Sequence, residues 1–338
     1  MPDLRTEDQI IESWQGDVSQ PLVSICCSTF NHEPYIRDAL NGFLIQETVF
    51  PFEILIHDDA STDDTANIIL DYYKKYPRLI KPILQTVNQF SQGVRPARIN
   101  HQRALGKYLA ICEGDDYWTC GAKLQLQFDA LEKNVSSDMC FHPAVKIDYL
   151  TGGESIIGKY APQGDKVIPV EEVIIKKHGL IPTASIMIRH HIHEEIHLFR
   201  ESRPHLTVGD IYLFFFGAKR GGAIFIDNTM SVYRANLPGS WTAKNKGDYK
   251  ARMHNIHVRV KSYTELDNMT GFTYSRVFMH ENDKRLLGIF KEKAIPAVEK
   301  ISYYKKNYRY MTIKGRSLAL PFILISSFLY FTDTSKHG

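Results

Sequence analysis

Three acids and a glycine follow a short apolar run: Tyr108-Leu109-Ala110-Ile111-Cys112 leads into Glu113-Gly114-Asp115-Asp116-Tyr117-Trp118. The run reads as a buried strand. Adjacent carboxylates at such an exit repel each other, a cost that a cation between them removes. Oxygen-only ligands select a hard cation, Mg2+ or Mn2+, and such ions are often shared with phosphate. The chemistry suggested here is a metal held against the diphosphate of a nucleotide-activated substrate. The alternative is a solvated acidic turn, a common loop feature.

Two more polar clusters stand at strand exits. An apolar run over 22–27 ends in Ser28-Thr29-Phe30-Asn31-His32, and one over 52–57 ends in Asp58-Asp59-Ala60-Ser61-Thr62. A helix is expected after each. Asn31 is the expected N-cap of the first, with Pro34 in its first turn and Tyr35, Ile36, Ala39, Leu40, Phe43 and Leu44 as its apolar stripe. Ser61 or Thr62 should cap the second, striped by Ala66, Ile69, Leu70 and Tyr73. A strand near 80–86, a loop over 88–98 and a helix near 99–105 complete a β-α-β-α-β-loop-α-β order. This alternation predicts an α/β fold, a doubly wound and mainly parallel sheet flanked by helices. Such sheets bind ligands at the carboxyl ends of their strands, where all three clusters fall. Neither G-x-G-x-x-G nor G-x-x-x-x-G-K-[ST] is present at the expected places. Phosphates then need a holder other than a glycine loop, which favours a metal.

Downstream, the pattern predicts a helix over 123–131, one strand over 140–147, a Gly-rich surface loop over 151–167 and a strand over 184–188. Asp210 opens an apolar helix in which Phe214-Phe215-Phe216 reads as core. Short strands over 223–226 and 230–233 precede helices over 249–268 and about 272–300. The 338 residues, 43% hydrophobic with net charge +3, fit an ordinary globular protein and argue against a dedicated nucleic-acid binder. The five cysteines show no zinc spacing and read as reduced core residues of a cytoplasmic protein. No secretory signal is visible at the polar N-terminus. His193-Glu194-Glu195-Ile196-His197 matches H-E-x-x-H, but its polar setting and lack of an evident third ligand favour a surface helix over a zinc site.

Together these stretches resemble the family 2 inverting glycosyltransferases with a GT-A fold. The likeness spans about residues 21–242. It rests on Val23-Ser24-Ile25 with Thr29 to Glu33, on Glu53 through Thr65, on the acidic corner at 113–118, similar to that family's D-x-D, and on Gly209-Asp210 with Tyr233-Arg234. The resemblance implies that Ser28, Phe30 and Asn31 border the nucleotide and that Asp59 accepts a hydrogen bond from its base, often uracil. Asp115 would lie by the ribose and the metal, and Asp116 would be the main ligand of Mg2+ or Mn2+. Arg98 would lie near the pyrophosphate. Asp210 matches the general base. Arg234, with Trp241, would face the diphosphate or the acceptor. Glu113 stands where an Asp is commoner, and Gly209 where an acid often precedes the base. The processive Q-x-x-R-W is absent, which implies transfer of one sugar per encounter. The implied donor is a nucleotide diphosphate sugar, UDP-linked, and the acceptor a glycan or polyprenyl-linked glycan of surface-polysaccharide assembly. The competing function is a nucleotide-sugar-binding protein without turnover.

Expected organisation is an N-terminal arm or short helix over 1–20, a catalytic domain over 21–245 (donor half to about 120) and a helical extension over 246–338. Residues 284–316 carry ten Lys/Arg against two acids. The apolar stretch that follows, 317–331, contains Pro321 and is shorter than the ~20 residues a bilayer span needs. A peripheral anchor on the anionic cytoplasmic face of the inner membrane fits this pattern. Packing on the catalytic domain or on a second subunit, as a homo-oligomer, is the alternative.

Overall fold

Buried apolar runs become the central strands. The computed structural model describes residues 4–160, 162–177, 179–207, 209–238 and 248–334, with side chains described to residue 323. The chain divides into two units, Met1–Leu198 with Tyr212–Leu237, and Phe199–Ile211 with Pro238–Gly338.

The first unit runs α1 (Glu7–Glu12), β1 (Val23–Thr29), α2 (Ile36–Leu44), β2 (Phe52–Asp58), α3 (Thr65–Lys75), β3 (Ile80–Leu84), α4 (Pro96–Arg103), β4 (Tyr108–Ile111) and β5 (Tyr117–Trp118). It continues through α5 (Lys123–Lys133), β6 (Met139–Phe141), β7 (Ala144–Asp148), β8 (Glu154–Ile157), β9 (Lys166–Ile168), α6 (Val170–Ile175) and β10 (Met187–Arg189). Next come α7 (His190–Glu201) and α8 (Asp210–Ala218), of which residues 199–201 and 210–211 group with the second unit, then β11 (Ala223–Phe225) and β12 (Ser231–Ala235). An eight-stranded sheet has the order β3-β2-β1-β4-β10-β6-β11-β9, and a four-stranded sheet the order β5-β12-β7-β8. β1 pairs in parallel with β2 and β4, β2 with β3, and β6 with β11, while β10 and β9 run antiparallel to their neighbours.

β1 and β2 are covered on both faces, which is why they lack alternation and read as continuous apolar runs. Their Ile25, Cys27, Ile54 and Ile56 join Ala110 of β4, Ile36, Leu40 and Phe43 of α2 and Ile68 and Ile69 of α3 in one core. Ile10 of α1 is fully buried in the same core, so part of the expected N-terminal arm is docked. The three phenylalanines of α8 are buried, as expected.

Three local expectations change. The strand expected over 140–147 is two strands, β6 in the large sheet and β7 in the small one. Pro143 sits at the break, where its missing N–H would interrupt a ladder. The loop expected over 151–167 contains the edge strands β8 and β9, and the exposed face of β8 left no apolar alternation to read. The strand expected over 184–188 begins as a 3-10 turn, Thr183–Ser185, and only Met187–Arg189 pairs.

The second unit contains α9 (Tyr249–Met269), α10 (Ser275–Lys291), α11 (Ala297–Asn307) and α12 (Ile313–Thr334). Its core includes Met253, Val260, Leu286, Phe290, Tyr303, Met311 and Ile323. The helix expected over 272–300 is broken, and Pro296 is the N-cap of α11. Among the described residues, no helix is long and apolar enough to cross a membrane.

Candidate active site

Strands β1, β2 and β4 deliver their exits to one edge. Register pairs Thr29 with Asp58 and Cys26 with Ile111. Beyond the ladders the three exits stay tied. Cys112 N–H donates to Cys26 O at 3.2 Å, Gly114 N–H to Ser28 O at 3.0 Å, and Asp59 N–H to Thr29 O at 2.9 Å. Gly114 is needed for this approach, because a Cβ there would stand 2.8 Å from Thr29 Oγ1 and 3.0 Å from His32 Nδ1.

The acidic corner is then fixed by β12. The backbone N–H of Arg234 donates to Asp116 Oδ1 at 2.9 Å, and its Nη1 donates to Asp115 O at 2.8 Å. Its Nη2 pairs with Asp38 of α2. The guanidinium lies over the rings of Tyr117, 4.4 Å from the centroid, and Tyr35, at 5.2 Å. Asp116 is 1% exposed, and its Oδ2 is buried with no partner. Burial, then the Asp115 charge, push the Asp116 carboxyl well above the usual carboxylate range. A buried carboxylate oxygen without a donor is the environment a cation would complete. Asp115 Oδ2 lies 3.9 Å from His32 Nε2. Among the described residues no group of three His, Cys, Asp or Glu is arranged to hold a metal. Mg2+ sites that share phosphate oxygens use only one or two carboxylates, and Asp115 with Asp116 meet that requirement.

The exits of β1 and β2 are also stitched to each other. Asn31 N–H donates to Ser61 Oγ at 2.8 Å and Thr62 N–H to Asn31 Oδ1 at 2.8 Å, while His32 N–H donates to Thr65 Oγ1 at 2.9 Å. Asn31 is therefore not the N-cap expected of it, since α2 starts at Ile36 with Tyr35 in the cap position. Ser61 and Thr62 do not cap α3 either, whose N-cap position is held by Asp64. Asn31 and Ala60 both adopt φ above +50°, at 54° and 64°. For Ala this left-handed backbone is strained.

Asp59 is 2% exposed, and its carboxylate anchors a turn: Oδ1 accepts from Gln89 N–H at 2.7 Å and Oδ2 from Phe90 N–H at 3.0 Å. An ionised carboxylate keeps further lone pairs after two such bonds. The anchored turn presents Phe90 at 66% exposure, while Phe30 at the exit of β1 is 37% exposed. Phe90 escaped the sequence reading because it stands in a loop with no apolar period. An exposed aromatic one residue from a polar turn is the only signal it leaves.

Other sequence candidates lie elsewhere. Arg98, on α4, donates from Nη2 to His197 Nε2 at 2.8 Å. The same helix contact sets His101 Nδ1 2.9 Å from His193 Nδ1, and burial pushes the His193 imidazole down to about 4. The H-E-x-x-H helix expected on the surface thus turns His193 and His197 toward α4. Asp210 belongs to the second unit, where Arg259 Nη2 donates to its Oδ1 at 3.0 Å. Trp241 lies outside the described residues.

The family model described as Glycosyl transferase family 2 matches residues 24–192, half of the chain, and the chain belongs to that family. The Mycobacterium tuberculosis H37Rv protein Rv1520 is 35% identical over 225 residues, which are 65% of this chain and 60% of that protein. The match thus spans about three fifths of the relative's length. The dTDP-rhamnosyl transferase RfbG of Shigella flexneri is 27% identical over 59% of this chain and 68% of its own. Among solved structures, S. aureus TarS 1–349 in complex with UDP-GlcNAc superposes with a TM-score of 0.62 at 16% identity, covering 90% of this chain and 88% of TarS 1–349. That likeness is one of fold: a mixed α/β GT-A architecture with a mainly parallel central sheet and a helical C-terminal region.

Proposed function

We propose that this protein is an inverting glycosyltransferase that moves one sugar from a nucleotide diphosphate sugar to a hydroxyl of a glycan or polyprenyl-linked glycan. The observation that carries the reading is the buried, partnerless Oδ2 of Asp116 at the carboxyl edge of the sheet. Asp116 and Asp115 would hold Mg2+ or Mn2+, which when bound supplies positive charge to the departing diphosphate. Ser28, Phe30 and Asn31 border the nucleotide, and Asp59 recognises a pyrimidine base. Uracil and thymine offer the same N3–H, so UDP is proposed on the family resemblance, with dTDP, named for the Shigella relative, as its close alternative. Arg234 fixes the corner through Asp116 and Asp115. Arg98 is proposed on the pyrophosphate side.

The chemical step is a single displacement. The acceptor oxygen bonds to the anomeric carbon as the bond to the diphosphate oxygen breaks, and the hydroxyl proton passes to the Asp210 carboxylate. Attack from the face opposite the leaving group inverts the configuration. The basic C-terminal stretch, with Ile313, Leu318 and Leu320 exposed on α12, is proposed to meet an anionic membrane surface where a lipid-linked acceptor would reside.

A panel of UDP-, dTDP- and GDP-sugars, with and without Mn2+, on the wild type and on Asp116→Ala tests the reading. Metal-dependent nucleotide release that the variant loses supports it. Metal-dependent donor binding without release, with acceptor glycolipids present, would support a binding protein instead. Neither binding nor release would leave the acidic corner structural.

A further inference from the structure

Residues 199–211, from the end of α7 into the first turn of α8, group with the C-terminal helices. Two arginine–carboxylate bonds of opposite sense tie this segment to α9. Arg203 Nε donates to Glu265 Oε2 at 3.0 Å, and Arg259 Nη2 donates to Asp210 Oδ1 at 3.0 Å. The two are not equivalent. Arg203 also lies over the ring of Phe199, 4.4 Å from the centroid, and has the surroundings of a surface clasp. Arg259 is the more enclosed of the two, with a side chain 19% exposed, and it is backed by a chain of aromatic and charged groups. Tyr263, one turn along α9, is buried, interacts with the Arg259 guanidinium and stacks on Phe278 at 5.3 Å between centroids. Arg285 lies over Tyr263 at 5.9 Å and donates to the buried Glu281 at 3.1 Å.

Enclosing a guanidinium costs solvation that a packed apolar side chain would not incur. Here the enclosed cation faces the one carboxylate that the proposed chemistry uses as a base. A hydrogen bond to Oδ1 restricts rotation of the Asp210 carboxylate and so fixes the direction of Oδ2 as well. Proton abstraction is sensitive to such placement, and about 1 Å of misplacement can cost on the order of a hundredfold in rate.

We infer that Arg259 is a positioning residue for Asp210, so that the C-terminal helical unit supplies part of the acceptor-activating machinery. The inference rests on the reading of Asp210 as the base. It gives the extension a role in the reaction that is independent of any membrane contact.

The test is a double-substitution cycle on the full-length protein, with water as acceptor and UDP release from UDP-GlcNAc and UDP-glucose in Mn2+ as readout. Arg259→Met should lower kcat about tenfold or more, leave the donor Kd unchanged, and have no further effect in an Asp210→Asn background. Arg259→Lys should recover part of the loss. Arg203→Met, which removes the other tie without touching Asp210, should leave kcat near wild type. Equal losses in Arg203→Met and Arg259→Met would mark a merely structural clasp and overturn the inference. So would a full loss from Arg259→Met on top of Asp210→Asn. If Asp210→Asn lowers kcat and Arg259→Met does not, the inference alone falls. If Asp210→Asn leaves kcat unchanged, the base assignment falls and takes the inference with it. Thermal melts of each variant separate misfolding from these outcomes, and the Lys variant keeps the test open should Arg259→Met not fold.

Discussion

Arg234 holds Asp116 by its main chain and the neighbouring Asp115 by its side chain, with donor distances of 2.9 and 2.8 Å. A residue 118 positions away thereby sets the geometry of the acidic corner. One Asp116 oxygen is satisfied and the other is left buried and partnerless.

The first prediction follows from that unpaired charge. Burial raises the folded pKa of Asp116 well above its ordinary 3.8. Above 3.8 the folded protein keeps a proton that the unfolded chain has released. The stability this residue contributes is therefore fully present below that value and is lost as pH rises through the folded pKa. The metal-free wild type should lose stability through this group as pH rises above 3.8, and Asp116→Asn should lose less. Mn2+ offsets the charge, so its increase in Tm should grow as pH rises. Equal Mn2+ increments in the wild type and Asp116→Asn would place any metal elsewhere.

Gly114 is predicted to tolerate no side chain. In Gly114→Ala the new methyl meets Thr29 and His32 at 3.0 Å or less. The exit of β1 and the corner must then separate, at about 1–3 kcal/mol. Urea unfolding should show the loss, and calorimetric titration with UDP-sugar and Mn2+ should show donor binding weakened beyond it. Wild-type affinity in a destabilised variant would mean that the separation does not reach the donor.

Much of this site was legible because its acids stand at the ends of apolar runs, a contrast that one sequence displays. The strands that carry them are buried on both faces, so β1, β2 and β4 stood out without any alternation. What escaped the reading depends on distant partners. The pairing of Arg234 with Asp38, across 196 positions, and of Asp210 with Arg259, across 49, leaves no local trace. Exposure hides the edge strands β8 and β9 from a pattern of apolar residues, and the apolar residues on both sides of Pro143 make β6 and β7 look like one run. The residue type of Asn31 suggests a helix cap, whereas its left-handed backbone directs it to the neighbouring loop.

Phe90 is predicted to stack on the donor base. Asp59 fixes the turn that presents the ring, so the aromatic face is held in place before the nucleotide arrives. Base–aromatic stacking is worth about 1–3 kcal/mol on alanine substitution. Phe90→Ala should weaken donor Kd by about tenfold, with kcat at saturating donor little changed. Phe90→Tyr should bind like the wild type. A fall in kcat with unchanged Kd would assign the ring to the acceptor side.

Lys123 supplies a test of the scaffold beneath the corner. It is fully buried, donates to Gln127 Oε1 at 2.6 Å, and stands 3.8 Å from the centroid of Trp118. Burial pulls its pKa down to about 7 from 10.5. Between these values the unfolded chain carries a proton that the folded protein lacks, so wild-type stability should rise with pH across the window. Below about 7 both states are protonated and the full cost of burying the ammonium is present. Lys123→Met keeps the length of the side chain without the charge. It should therefore raise Tm by several degrees near pH 6, an advantage that shrinks toward pH 10. A Tm difference independent of pH would mean that the ammonium is solvated by the native protein, and that the Lys123–Trp118 contact stabilises the layer under Asp116 outright.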